Sequence, residues 1–128
     1  LVTAPVSGHQ ISLTRFLTGE RPTTRAEIRP LRNFNLRDPV GNPGAIELFG
    51  RFARLDVGRQ LIDEQVAIPA TSTSNVDLLD AGAIWYLNQY TAAWFAWQHS
   101  WLGTPVETAP GRTTSGYELF TMRLQFFF

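Results

Sequence analysis

The sequence predicts an all-β chain whose five antiparallel strands belong to the C-terminal part of a transmembrane β-barrel, and three observations carry that expectation. The last residues alternate: Phe120, Met122, Leu124, Phe126 and Phe128 are apolar, while Thr121, Arg123 and Gln125 between them are polar. That is the period of a strand with an apolar medium on one side and water on the other. The amphipathic runs are about eleven residues long, which suits the 9–11 residues of a tilted membrane strand better than the 5–6 usual in soluble sheets. No stretch approaches the ~20 apolar residues of a helical span, so any crossing has to be made by strands. The competing fold is a soluble sandwich, whose half-buried strands alternate in the same way.

The first strand is expected over residues 10–20, with Ile11, Leu13 and Leu17 on one face and Ser12, Thr14 and Thr18 on the other. Arg15 falls on the apolar face, where it has to snorkel toward an interface. The second, over residues 45–57, sets Ile46, Leu48, Gly50 and Phe52 against Glu47, Phe49, Arg51 and Ala53. A helix would also bring Glu47 near Arg51, but Gly44, Gly50 and Gly58 argue against one. The third, over residues 76–87, sets Leu79, Ala81, Ala83, Trp85 and Leu87 against Asp80, Gly82, Ile84 and Tyr86. After the turn Asn88-Gln89-Tyr90, the fourth covers residues 91–102, with Ala93, Phe95, Trp97 and Trp101 on one face. Ala92, Trp94, Ala96, Gln98 and Ser100 form its other face, where Trp94 interrupts the polar pattern. The fifth covers residues 117–128. Connections are expected at 21–44, 58–75 and 103–116, all rich in Pro, Gly, Thr, Ser and Arg. Five strands are too few to close a barrel, and an open edge in lipid leaves backbone groups unpaired. Residues 1–128 are therefore expected to be the C-terminal segment of one longer barrel domain.

Composition narrows the function. Acidic and basic residues balance at eleven each, so no net field calls for nucleic acid as a partner. Every basic residue is Arg, which reflects either genome composition or a need for permanently charged, fork-shaped anion donors. The absence of Cys excludes disulfides and thiolate metal sites and agrees with export through an oxidising periplasm. Leu1 opens the chain without Met, charged n-region or apolar h-region, so a mature or truncated start is expected. His9 and His99 lack metal-ligand spacing, and Asp63 and Glu64, adjacent in a loop, point apart if extended. No nucleophile elbow or phosphate-cradling loop is present. Neither catalysis, a cofactor nor a metal is expected.

Several segments resemble the phosphate-selective porin O and P family of bacterial outer membranes. They are RFLTGE (15–20), RPLRNF (29–34), GAIELFGRFARLDV (44–57), IWYLN (84–88) and MRLQFFF (122–128), in the family's order. The resemblance implies a barrel of about 16 strands, usually a homotrimer in outer-membrane lipid, that lets small hydrophilic solutes diffuse passively, with anions such as phosphate preferred. It makes this chain the last five strands. Resemblance to barrel proteins generally implies that Phe120, Met122, Leu124, Phe126 and Phe128 are also the address read by the barrel insertion machinery. With the terminus in the periplasm, the Asn88-Gln89-Tyr90 turn and the 21–44 connection lie there too, and connections 58–75 and 103–116 face outside.

The 21–44 connection carries Arg21, Arg25, Arg29, Arg32 and Arg37 against Glu27 and Asp38. The resemblance implies that such a turn can fold into the lumen, where guanidinium groups attract anions and hydrogen-bond phosphate or carboxylate oxygens in pairs. The alternative is a solvated periplasmic turn, or pairing with Glu20, Glu27 and Asp38. Register puts Arg51 and Arg123 on the polar face, either as members of an anion path or as partners of Glu47 and a neighbouring strand's acid. Trp85, Tyr86, Tyr90, Trp101 and Tyr117 lie near strand ends, as girdle residues do. Phe49 and Trp94 are the lumen-facing rings a sugar slide could use. Two rivals to passive transport remain: a structural barrel that anchors or scaffolds an envelope complex, and a soluble all-β binding module.

Overall fold

The computed structural model describes residues 5–21, 24, 28–58, 68 and 72–128. Among them are five strands and no helix: β1 (Val6–Phe16), β2 (Ala45–Val57), β3 (Asn75–Asn88), β4 (Thr91–Ala109) and β5 (Arg112–Phe126). They form one antiparallel sheet in chain order, β1-β2-β3-β4-β5, with β1 and β5 as its edges and no closure between them. The described residues contain no second sheet or helix to cover this one, so neither layer of a sandwich partner is present among them.

The expected all-β class and the five strands are therefore found, with two boundary corrections. β1 runs from Val6 rather than residue 10 and ends at Phe16. Its ladder stops because the Thr18 hydroxyl, not a carbonyl, accepts the Ile46 N–H at 3.0 Å, just after Leu17 N–H bonds the Ile46 carbonyl at 2.8 Å. The larger correction concerns residues 103–116, which are strand and not a long connection. β4 continues to Ala109 and β5 begins at Arg112, joined by Pro110 and Gly111. Gly103 and Gly116 look like breakers, but Thr104, Val106, Thr108, Thr113 and Thr114 are β-branched and favour a pleated surface. Gly111 takes φ 75°, the left-handed conformation a tight hairpin needs, and its N–H is bonded by the Glu107 carboxylate at 2.8 Å. Of the 58–75 connection, residues 59–67 and 69–71 lie outside the described residues.

The chain divides into two compact units. The first comprises Leu1–Ile11, Arg51–Leu79 and Gln98–Leu119. It holds the β4–β5 hairpin, a two-pronged Arg54–Asp77 pair with both N···O distances at 2.7 Å, and a His99–Glu118 contact at 3.2 Å. Val57 N–H to the Ser74 carbonyl and Gly58 N–H to the Pro5 carbonyl, both 2.7 Å, extend its pairing past the end of β2. Ser100 is fully buried here, and among the described residues its hydroxyl has no hydrogen-bond partner.

The second unit comprises Ser12–Gly50, Asp80–Trp97 and Phe120–Phe128. Its tight turn between β3 and β4 is fixed by the Tyr90 N–H bonded to the Asn88 side chain at 2.8 Å. The Tyr90 carbonyl in turn accepts the Phe127 N–H at 2.8 Å, so pairing continues beyond β5. Here too the connection into β2 is tied down: Glu20 is buried, accepting the Thr18 hydroxyl and the Leu31 N–H. Phe34 N–H bonds the Leu87 carbonyl at 2.7 Å, filling a ladder position that precedes the first residue of β2.

The Ser100 hydroxyl contributes no bond that its loss would break, so Ser100→Ala removes only the cost of burying it. Chemical unfolding is expected to show unchanged stability or a gain of up to about 1 kcal/mol. A loss above that size would mean the hydroxyl has a partner.

Candidate functional site on the polar face of the sheet

Side-chain contacts define the two faces. Tyr86 on β3 donates its hydroxyl to Glu47 on β2 at 3.0 Å, and its ring stacks with Phe16 of β1 at 6.1 Å. Phe49 of β2 lies 5.8 Å from Trp94 of β4, and the Arg123 guanidinium of β5 sits 4.5 Å above the Trp94 ring. These residues share one face, because in each strand they occupy alternate positions. The other face carries Ile11 and Leu13 of β1, Leu48 and Phe52 of β2, Phe95 and Trp101 of β4, and Phe120, Met122, Leu124 and Phe126 of β5, all exposed. Phe120 and Met122 retain 74% and 77% of their accessible surface. Only Ile28, Ala45, Ile84 and Ala92 are buried apolar residues among those described.

Polar and charged side chains interrupt the apolar face on each strand. Two positions beyond Ile11, Phe52 and Trp97 come His9, Arg54 and His99, and two positions before Leu79 and Phe120 come Asp77 and Glu118. Four of these are joined as Arg54–Asp77 and His99–Glu118. Trp101, on the same face of β4, packs its ring 4.3 Å from that of His99.

On the polar face, Glu47 retains only 1% of its surface, so its carboxylate depends on donors such as Tyr86. Asp80 is buried as well, Arg51 is exposed, and each is engaged by a further interaction. Phe49 reaches toward Trp94 across Gly82. A Cβ at residue 82 would lie 2.7 Å from the Phe49 ring edge and would collide with the Phe95 carbonyl. Glycine is thus the residue that admits the ring. Trp94, which interrupts the alternation in sequence, is a platform: its π face attracts the Arg123 cation. Among the described residues no carboxylate bonds Arg123. Its contact among the described residues is with the Trp94 ring.

The remaining expected site residues are placed as follows. Arg32 donates Nη1 to the Gly41 carbonyl at 2.8 Å, closing the exposed turn in which Arg37 lies. The acid of that turn, Asp38, accepts the Gly41 N–H and the Asn42 amide and caps backbone instead of binding arginine. Arg29 is exposed and engaged by a further interaction, and Arg25 lies outside the described residues. Trp85 donates its indole N–H to the Pro43 carbonyl at 2.7 Å and meets Phe34 edge-on at 4.7 Å, which anchors the end of this connection. Of the other expected girdle residues, Trp101 is exposed on the apolar face and Tyr90 in its turn. Tyr86 belongs to the polar face, as does exposed Tyr117 by its position next to Glu118. Phe120, Met122, Leu124 and Phe126 run along the exposed edge strand, followed by exposed Phe128. The Phe49–Trp94–Arg123 stack was missed as a unit. Its signal in the sequence is an aromatic at a polar position of one strand beside a glycine in the next.

No protein-family model, curated protein or solved structure matches this chain.

Two substitutions test the geometry of this face. Tyr86→Phe takes a donor from a buried carboxylate and is expected to lower stability by about 1–3 kcal/mol. Gly82→Ala forces backbone or Phe49 to shift and is expected to cost about 1–3 kcal/mol. Both are read from unfolding midpoints; a neutral result in either case removes the contact invoked.

Proposed function

We propose that this chain is a wall segment of an outer-membrane porin, related to the phosphate-selective porin O and P family, through which small hydrophilic anions diffuse passively. The observation that carries the proposal is the contrast between the two faces of one sheet. One face exposes Phe120, Met122, Leu124, Phe126 and their neighbours on β1, β2 and β4, while the other presents Arg123 seated on Trp94. A soluble monomer rarely exposes a contiguous apolar patch of this kind, whereas a barrel wall has lipid outside and water inside. Arg54, Asp77 and Glu118 on the apolar face fit a hydrocarbon boundary, where charges reach headgroups and water.

Unpaired edges on β1 and β5 are costly in hydrocarbon. On this reading further strands continue the wall on both sides, and the homotrimer implied by the family completes the assembly. The exposed row of β5 is then also the address by which the insertion machinery recognises the chain, through backbone pairing with alternate side chains giving specificity.

Selectivity follows from electrostatics. A guanidinium cannot be deprotonated at any physiological pH, and low-dielectric walls focus its field into the passage. It attracts anions and repels cations without binding either long enough to block transit. Glu47 and Asp80, the carboxylates of the same face in this unit, are buried and already engaged.

Recording from the full-length protein in a planar bilayer is expected to give ohmic conductance with reversal potentials shifted toward chloride. Arg123→Gln is expected to reduce the anion-to-cation permeability ratio by about twofold or more, because the charge lost stands within a Debye length of the permeating ion. A bilayer that stays sealed overturns the pore; an unchanged ratio removes Arg123 from the path.

A further inference from the structure

We propose that Phe49, Trp94 and Arg123 form a binding site for anions that carry a planar ring, an aromatic carboxylate being the simplest. The site deepens the porin reading, on which it rests for access, since its ligand reaches this face through a water-filled lumen. Three features of the stack define the ligand. The Arg123 guanidinium lies over Trp94, so its plane is held by the ring and not by an acid. Its edge carries N–H groups in the fixed fork that matches the two oxygens of a carboxylate. The ring beneath it, Trp94, is partly exposed, as is Phe49, whose ring lies 5.8 Å from that of Trp94 and is tilted at 48°. Such an angle leaves π surface facing outward, where a third ring can meet it offset or edge-on.

A spherical or tetrahedral anion uses only the guanidinium. Chloride and inorganic phosphate therefore gain the charge contact and nothing from the rings. A carboxylate on an aromatic ring gains both, because its charge and its flat apolar part are separated by about the distance between a guanidinium edge and the ring beneath it. Gly82 lets Phe49 lie low against β3, where its ring meets that of Trp94. Glu47 and Asp80 do not compete for the same fork, since both are buried in contacts of their own.

The measurement is calorimetric titration of the detergent-solubilised full-length protein with benzoate, cyclohexanecarboxylate and inorganic phosphate. Benzoate and cyclohexanecarboxylate share charge and size but differ in the π face. Benzoate is expected to bind about three- to fivefold more tightly than cyclohexanecarboxylate. Trp94→Leu is expected to bring that ratio close to one, and Arg123→Gln to weaken both carboxylates together. Equal affinities in the unsubstituted protein, no binding of either carboxylate, or a ring preference that survives Trp94→Leu each overturn the site. The first two readings need no variant, so a misfolded substitution leaves the test intact. Conductance of the same preparation separates the two proposals. A conducting, anion-selective channel without ring preference sinks this site alone, while a ring preference lost in Trp94→Leu from a protein that seals the bilayer supports the site and sinks the porin.

Discussion

One constraint governs this structure: a single sheet has two faces, and nothing among the described residues covers the apolar one. Among the described residues the five strands bury only three apolar residues, Ala45, Ile84 and Ala92, whereas every strand but β3 exposes large hydrophobic side chains. Apolar surface left in water costs about 25 cal/mol for each Å². Phe120, Met122, Leu124 and Phe126 stand in one exposed row on an edge strand, and the proposed lipid contact would remove that cost. The hydrogen-bonded ladder satisfies the backbone between β1 and β5, and the fold depends on that ladder because there is almost no core to share the task.

The opposite face is held by polar and aromatic contacts. Glu47 is buried under Tyr86, Tyr86 stacks on Phe16, and Phe49, Trp94 and Arg123 form a second group. Buried carboxylates are tolerable only when donors reach them, and the strand register delivers those donors from neighbouring strands. The same register gives Arg123 a π platform in place of an acidic partner. On the porin reading, a cation oriented in this way keeps its hydrogen-bonding edge toward the passage.

Much of this was legible in the residues. Alternation located β2 and β3 to within a residue and identified the start of β4, because a period of two is local and survives whatever packs against it. It also placed Glu47, Arg51 and Arg123 on the polar side. It failed at residues 103–116, where Gly103 and Gly116 suggested breaks that β-branched neighbours and a tight turn at Gly111 override. Tyr86 near its strand end meets Glu47 on the polar face, and alternation puts Tyr117 on that face as well.

The sequence by itself determined the strand class and the division of side chains into two faces, both consequences of local periodicity. Which residues meet across strands was decided only by the tertiary structure. The Arg123–Trp94 stack, the Tyr86–Glu47 bond and the Arg54–Asp77 pair each depend on inter-strand register, which is set by pairing and turn geometry between segments distant in the chain.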